Sequence, residues 1–460
     1  MESSDALNSP AEHRWKVRID TGGTFTDALA IDPSGVASRR KVLSSGRVRG
    51  RVRDGLVVLA DGSAAPSLLS GAEVRGLPGD APLGRLGEGG RLEPGVGLAA
   101  DGDLVEVDPA MDAPRLAMHL LCGVPIGSPL PPIELRVATT RGTNALLTRS
   151  TGRVLLVTTN GFEDLPVIGD QSRPDLFDLD VRPPRLLPAA TLGMPRHVDA
   201  SGEGLDDVDL DRLLDRIEES AVAHGVDGVA VCLLHSWRDP SLELELADRL
   251  AARLPGLRIS AGAAVSPEIR LVPRMRTTIA DAALAPVIRR FLEDLGLGGV
   301  ASRSRDVVLA MSSGGGLVDA SELRPAETLL SGPAAGVVGA FEAARSIGAA
   351  RFVGFDMGGT STDVARADGR VDLKDGGRVG DAEVRIPSVD LHTVAAGGGS
   401  ICRVVEGRLE VGPESAGADP GPACYGAGGP LTVTDVNLLL DRADPTRFGV
   451  PLDVPAARRA

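Results

Sequence analysis

Lysine, aromatic residues and cysteine are all scarce in this chain. Three of its 460 residues are lysine (Lys16, Lys41, Lys374), so arginine carries nearly all the positive charge. Aromatic residues make up 2%, which leaves leucine, valine, isoleucine and alanine to build any core. The four cysteines (Cys122, Cys232, Cys402, Cys424) are far apart and form no CxxC pair. That argues against a disulfide framework or a zinc knuckle and makes a reducing compartment the default. No apolar run reaches the roughly 18 residues that a membrane-spanning helix needs. The first fourteen residues, MESSDALNSPAEHR, are polar and lack the apolar stretch of a signal peptide. A net charge of -14 repels nucleic-acid phosphates. These features predict a soluble, cytoplasmic protein with no nucleic-acid and no membrane partner. Several chemical signatures are absent too. There is no Gly-Lys-Ser/Thr, hence no Walker loop, and no HExxH, GxSxG or metal-spaced Cys/His cluster. The six histidines are scattered.

The chain is rich in glycine (58 residues) and proline (33), with 43% hydrophobic residues. That composition suits a globular protein with many tight loops, and the length allows about two to four domains. After a tail ending near residue 14, WKVRID (15–20) alternates as a strand and ALAID (28–32) reads as its return. Residues 61–114 are crowded with Gly, Pro and Asp and read as an inserted subdomain of short strands and loops. Beyond them, VATTRGTNALLTR (137–149) reads as a strand end running into a helix, and VLLVTT (154–159) as a buried strand. Helices are expected over 206–224, 241–253, 277–295 (interrupted or kinked at Pro286) and 334–346, with strands over 228–234 and 307–313. Strands alternating with helices predict an α/β fold with mixed sheets.

The most informative feature is an internal repeat. DTGGTFTD occupies 20–27 and DMGGTSTD occupies 356–363, identical at six of eight positions, each between two apolar strands. In each copy a strand delivers an aspartate, and two glycines let the backbone turn tightly and approach a ligand. Successive N–H groups in such a turn form an anion site. The hydroxyls of Thr24, Thr26, Thr360 and Thr362 are candidate phosphate donors. Asp20 and Asp356 are candidate ligands for Mg²⁺, directly or through its water shell. No lysine sits in either loop, so a metal and backbone dipoles must neutralise the phosphates. Two such loops facing each other would clamp a triphosphate tail.

The paired DxGGTxxD hairpins resemble those of the actin-like ATPase superfamily. The longer segments IDTGGTFTDALAIDP, TTRGTNALLTR, LVTTNGFEDLPVIGDQSRPDLFDL, SPEIRLVPRMRTT, LLSGPAAGVVGA, AAGGGSI and PESAGADPGPACYGAGGPLTVTDVNLLL are similar to the A-type component of the hydantoinase/oxoprolinase family. The resemblance runs from about 15 to 442 and is weakest over 50–130. It implies two ribonuclease H-like domains with mixed sheets, divided as 15–203 and 204–460, holding ATP and Mg²⁺ between them. It assigns Asp20, Gly22, Gly23, Thr24 and Thr26 to one phosphate loop, and Asp356, Gly358, Gly359, Thr360 and Thr362 to the other. Asp20, Asp356, Thr24 and Thr360 are the expected catalytic set, with Asp20 and Asp356 the expected metal ligands. Gly397, Gly398, Gly399 and Ser400 match an adenosine-side motif. Ser331-Gly332-Pro333 is either a helix cap or a ligand contact, and Thr140, Asn144 and Arg173 are expected to face the substrate.

Two departures stand out. Family A-type chains usually continue well past TVTDVNLLL, so the second domain is expected to be C-terminally truncated. The family's usual HGTT is replaced by ATT at 138–140. The implied activity is ATP-dependent hydrolysis of a cyclic amide of the 5-oxoproline or hydantoin type through a phosphorylated lactam, with a B-type component as partner. The alternatives are a ketone carboxylase component and a non-catalytic nucleotide-binding subunit.

Overall fold

In a computed structural model of the chain, the described residues are 14–460 apart from 60–62, 64, 78–80, 95–98, 172–176, 178, 180–183, 185, 196–208, 298–305, 381, 446–447 and 449. The tail expected over 1–14, apart from Arg14, lies outside them, as do Arg173 and the start of the helix expected from 206.

The alternation in WKVRIDT decides how the first hairpin sits. Val17, Ile19 and Thr21 are buried, while Lys16, Arg18 and Asp20 lie on the opposite face, as period-2 patterning requires. Strands Trp15–Thr21, Phe25–Ile31 and Ala37–Leu43 form an antiparallel meander. Trp15–Thr21 also pairs in parallel with Ile133–Thr139, which pairs in parallel with Val307–Met311; Leu317–Asp319 completes a mixed six-stranded sheet. Helix Ala113–Cys122 covers the Val17/Ile19 face with Leu116, Ala117 and Leu121 in one continuous core.

The Gly/Pro-rich insertion is more ordered, and starts earlier, than its composition suggests. Strands from Val48–Arg53 to Leu104–Asp108 form a six-stranded antiparallel sheet. Residues 113 and 114, read as its end, instead open helix Ala113–Cys122 of the main core.

A separate parallel sheet orders Ala190–Met194, Val154–Thr159, Gly228–Cys232 and Arg258–Ala261. It is covered on both faces, which explains why VLLVTT is buried along its whole length and mostly apolar. Helices Leu210–His224 and Ser241–Arg253 pack on one face and helix Leu271–Asp294 on the other. Strands on either side of residue 203 thus share one sheet. Helix Leu271–Asp294 begins six residues before the expected start and runs on past Pro286. Proline there removes one donor, and the nearby Ala283 carbonyl accepts Gly152 N–H at 2.8 Å.

The second hairpin, Arg351–Met357 with Thr362–Asp368, belongs to a three-stranded antiparallel sheet completed by His392–Val394. Among the described residues it has no parallel strands like those flanking the first copy. The chain after it runs into local hairpins, Leu373–Val379 with Ala382–Val389 and Ser400–Val405 with Arg408–Ser415. Such hairpins need only short turns, whereas parallel pairing needs a crossover. Helix Ser331–Ser346 packs against both hairpin sheets and so joins the two halves. It begins three residues before the expected 334.

Candidate nucleotide site

Both copies of the octapeptide close with the same backbone hydrogen bond. Gly22 N–H donates to the Phe25 carbonyl at 3.0 Å, and Gly358 N–H donates to the Ser361 carbonyl at 2.9 Å. Within the described residues, the N–H groups of Gly23, Thr24, Gly359 and Thr360 have no protein acceptor. In register, Asp20 opposes Asp27 and Asp356 opposes Asp363. Like charges directly across a ladder are unfavourable unless a cation intervenes.

The two turns touch. A Cβ added to Gly359 would overlap the Thr24 hydroxyl and lie 3.0 Å from Thr24 Cβ. One added to Gly23 would lie 3.9 Å from both Thr360 Oγ1 and Asn144 Nδ2. Thr24 is buried and its hydroxyl has no partner among the described residues. Thr360 is exposed. Helix Ser331–Ser346 forms a third wall: a Cβ on Gly332 would be 3.3 Å from Asp20 Oδ1, and a Cβ on Gly336, about one turn on, 3.5 Å from Asp356 Oδ2.

Asp20 opens to solvent on one side but is otherwise crowded by protein. Burial first, then the charges of Asp27 and Asp356, raise its pKa to about 6 against an opposing pull from Lys41. Lys41 pairs with Asp27 at 2.5 Å. Burial also raises Asp363, with Asp356 adding to the shift and the Thr393 hydroxyl opposing it.

The remaining expected residues divide by what they hold. Thr26 and Thr362 are buried and brace the turns. Thr26 Oγ1 bonds Ser44 Oγ at 3.1 Å, Ser44 Oγ donates to the Gly22 carbonyl at 2.7 Å, and Thr362 Oγ1 donates to the Ala396 carbonyl at 2.6 Å. Ser44 is a site residue that sequence reasoning missed, because only folding brings it against the first turn. Gly397–Ser400 lie behind the second turn. Gly398 and Gly399 N–H donate to the Gly358 and Gly359 carbonyls at 2.9 and 2.6 Å, and Gly397 N–H donates to Ser400 Oγ. A Cβ on Gly397 would fall 2.7 Å from the Gly359–Thr360 peptide, so glycine is required by close approach. Ser331 does not cap its own helix, whose N-cap is Leu330. Its hydroxyl donates to the Thr139 carbonyl and accepts from Thr139 N–H, tying the helix start to the strand end. Thr140 donates through N–H and Oγ1 to the Thr21 carbonyl, and Asn144 Nδ2 donates to Thr140 Oγ1 at 3.4 Å. Both therefore stand at the first turn.

Among the described residues, no group of three or more His, Cys, Asp or Glu side chains is placed to hold a metal. Opposed carboxylate pairs with free N–H groups beside them fit a different arrangement: a hydrated Mg²⁺ shared by one or two carboxylates and phosphate oxygens. No helix of the described residues is long and apolar enough to cross a membrane.

The site and its setting define a class: a mixed α/β protein in which duplicated aspartate–glycine–threonine turns converge on one junction. The chain belongs to the hydantoinase/oxoprolinase family. The family's N-terminal region matches residues 131–254, and the hydantoinase/oxoprolinase model matches residues 274–460. It is 39% identical to 5-oxoprolinase PfmaA of Pestalotiopsis fici, over 76% of this chain and 31% of that protein. Its fold is similar to the crystal structure of ATP-dependent caprolactamase from Pseudomonas jessenii (TM-score 0.61, 25% identity, 96% of this chain and 57% of that one). It is also similar in fold to nucleotide-free acetone carboxylase (TM-score 0.65, 21% identity, 96% and 57%). The chain thus spans about a third of the length of the 5-oxoprolinase it matches.

Proposed function

We propose that the chain is the nucleotide-handling part of an enzyme that cleaves a cyclic amide at the expense of ATP. The observation that carries this reading is the contact between the two turns, with four N–H groups free beside Asp20 and Asp356. Those N–H groups would hold phosphate oxygens, and the aspartates would hold Mg²⁺ through its waters. The bound cation would supply charge neutralisation as phosphate charge shifts during transfer. A lactam resists hydrolysis because its C–N bond has partial double-bond character. Transfer of the γ-phosphoryl group to the lactam oxygen would release ADP and break that resonance; one water would add at the carbon, the C–N bond would open with the proton passing to nitrogen to leave an acyl phosphate, and a second water would release phosphate and leave the carboxylate. Thr140 and Asn144, bonded to each other beside the first turn, would orient the ring. The reading toward a lactam, and not a ketone, is supported by the relative named 5-oxoprolinase and the caprolactamase likeness.

The purified chain, alone and with a B-type component, is tested for ATP hydrolysis with and without 5-oxoproline, a hydantoin and caprolactam. Stimulation by one of these rings is expected. Stimulation by a ketone only with bicarbonate would replace the reading with a carboxylase. Nucleotide binding with no turnover under any condition would leave a binding subunit.

A further inference from the structure

Away from the two turns, one cluster holds more positive charge than its own carboxylate balances. Arg276, on helix Leu271–Asp294, and Arg385, on strand Ala382–Val389, share a single acidic partner among the described residues, Glu383. Arg276 Nη1 donates to Glu383 Oε2 at 3.0 Å, and Arg385 Nη2 donates to Glu383 Oε1 at 3.4 Å. One carboxylate thus lies between two guanidiniums with an oxygen toward each. A guanidinium can hold a carboxylate through two parallel N–H bonds, but here each gives Glu383 only one. Both Nε atoms are buried and have no partner among the described residues, which costs free energy. The three side chains are 23%, 31% and 33% exposed, so a small solute can reach them.

The cluster is tied to the first turn through packed elements. Arg385 N–H donates to the hydroxyl of Thr277, the neighbour of Arg276, at 2.8 Å. Ala145 and Leu146 of helix Arg141–Thr148 share a core with Ala280 and Leu284 of the long helix and with Val379 and Val384 of the hairpin. That short helix starts at Thr140, beside the first turn, and exposes Asn144 and then Leu147 on one face. Leu147 Cδ2 lies 3.1 Å from where a Cβ on Gly380 would stand, at the tip of the hairpin that carries Glu383 and Arg385. From the other side, a Cβ on Gly169 would fall 2.5 Å from Arg276 Nη2, and Gly169 has a φ of 60°, so glycine alone leaves the guanidinium its room. Gly169 stands four residues before Arg173, which is itself outside the described residues. Both segments expected to carry substrate residues therefore border this cluster.

We propose that Arg276 and Arg385 form a binding site for a carboxylate group of the substrate, with Glu383 as the internal carboxylate that the ligand displaces. That the carboxylate belongs to a substrate rests on the cyclic-amide reading above; that one binds here does not. A ring acid gains charge-assisted bonds from the two guanidiniums, and a neutral ring gains none.

Calorimetry of the full chain measures binding of 5-oxoproline, of pyrrolidinone (the same ring without the carboxylate) and of acetate (the carboxylate without the ring), with and without a non-hydrolysable ATP analogue and Mg²⁺. 5-Oxoproline is expected to bind at least tenfold more tightly than either of the others. Arg276→Gln and Arg385→Gln should each weaken it at least tenfold and leave the affinity for the ATP analogue unchanged. Glu383→Gln should strengthen it several-fold, because the internal competitor loses its charge; an ion pair that only braced the fold would give no such gain. The proposal is overturned if 5-oxoproline fails to bind under both conditions, if pyrrolidinone or acetate binds as tightly, or if Glu383→Gln brings no gain. Loss of analogue binding alone, with 5-oxoproline still held by the two arginines, would uphold this site and count against the nucleotide reading.

Discussion

Asp20 holds its proton more tightly than an ordinary carboxyl because protein crowds it and two further carboxylates face it. Between the unfolded value near 3.8 and the folded value of about 6, the folded chain binds more protons than the unfolded one. Stability contributed by this group is therefore present at low pH and lost as pH rises through that window. Asp20→Asn removes the penalty. It should stabilise the metal-free chain by about 1 kcal/mol at pH 7.5, a figure reduced for the solvent on its open side, and by nothing measurable near pH 4. Urea midpoints of both proteins across pH 4–8 test this. A gain that does not vanish in acid would contradict it. Magnesium reverses the balance: in the wild type, Mg²⁺ affinity should weaken several-fold from pH 7.5 to pH 5.5, measured by calorimetry, because the cation competes with the proton. Gly359 gives a second test. Alanine there collides with the Thr24 hydroxyl across the junction. Gly359→Ala should destabilise by about 1–3 kcal/mol and weaken ATP binding at least tenfold. Adding Thr24→Ala should recover part of the stability in a double-mutant cycle. Additive effects would mean that the turns do not meet.

Among the elements, the duplicated hairpins were legible in the chain because turn chemistry and alternation are local properties. Asp, two glycines and Thr between apolar strands dictate the same i→i+3 bond in both copies. What braces them was not legible. Ser44 against Gly22, Ala396 against Thr362 and the Gly397–Ser400 loop behind Gly358 are contacts between segments distant in sequence. Glycine-rich runs look the same whether they meet a ligand or another backbone. Helix Ser331–Ser346 was placed late because Gly332 and Pro333 resemble loop residues, yet proline is well tolerated in a helix's first turn. The glycine loop yields a prediction at this scale. Gly397→Ala drives a methyl group into the Gly359–Thr360 peptide. Because backbone cannot rotate away as a side chain can, the loss should be about 2–3 kcal/mol, without the rescue by Thr24→Ala expected for Gly359→Ala. Thermal denaturation of the three variants distinguishes the two collisions.

Across the whole molecule, the insertion sheet holds a buried ion pair between two of its own strands, at its junction with the C-terminal segment. Arg49 and Glu106 are both about 2% exposed and bond at 2.6 Å, with Arg47 holding the second carboxylate oxygen at 3.0 Å. The Arg49 guanidinium lies 5.9 Å from the Tyr425 ring centre, and Tyr425 meets Phe25 edge-on at 6.2 Å. Phe25 opens the return strand of the first glycine turn and accepts the Gly22 bond. One line of contacts thus runs from the Gly/Pro-rich insertion, through the C-terminal segment, to the candidate nucleotide site. Composition alone gives no hint of it: the insertion reads as short strands and loops from residue 61, whereas Arg49 lies ahead of that start and meets Glu106 only across paired strands. Replacing one member of a buried pair leaves the other charge stranded, whereas replacing both with apolar residues is often nearly neutral. Arg49→Met should therefore cost about 3 kcal/mol, the low end of that range because Arg47 still partners Glu106. Arg49→Met with Glu106→Met should recover most of it. If the line of contacts also positions the first turn, the single variant should weaken ATP binding several-fold under conditions where it remains fully folded, and Tyr425→Leu should do the same with the ion pair intact. Chemical denaturation and calorimetric ATP titration of the four proteins separate the two effects. A stability loss in Arg49→Met with unchanged nucleotide affinity would confine the pair to holding the insertion's own strands together.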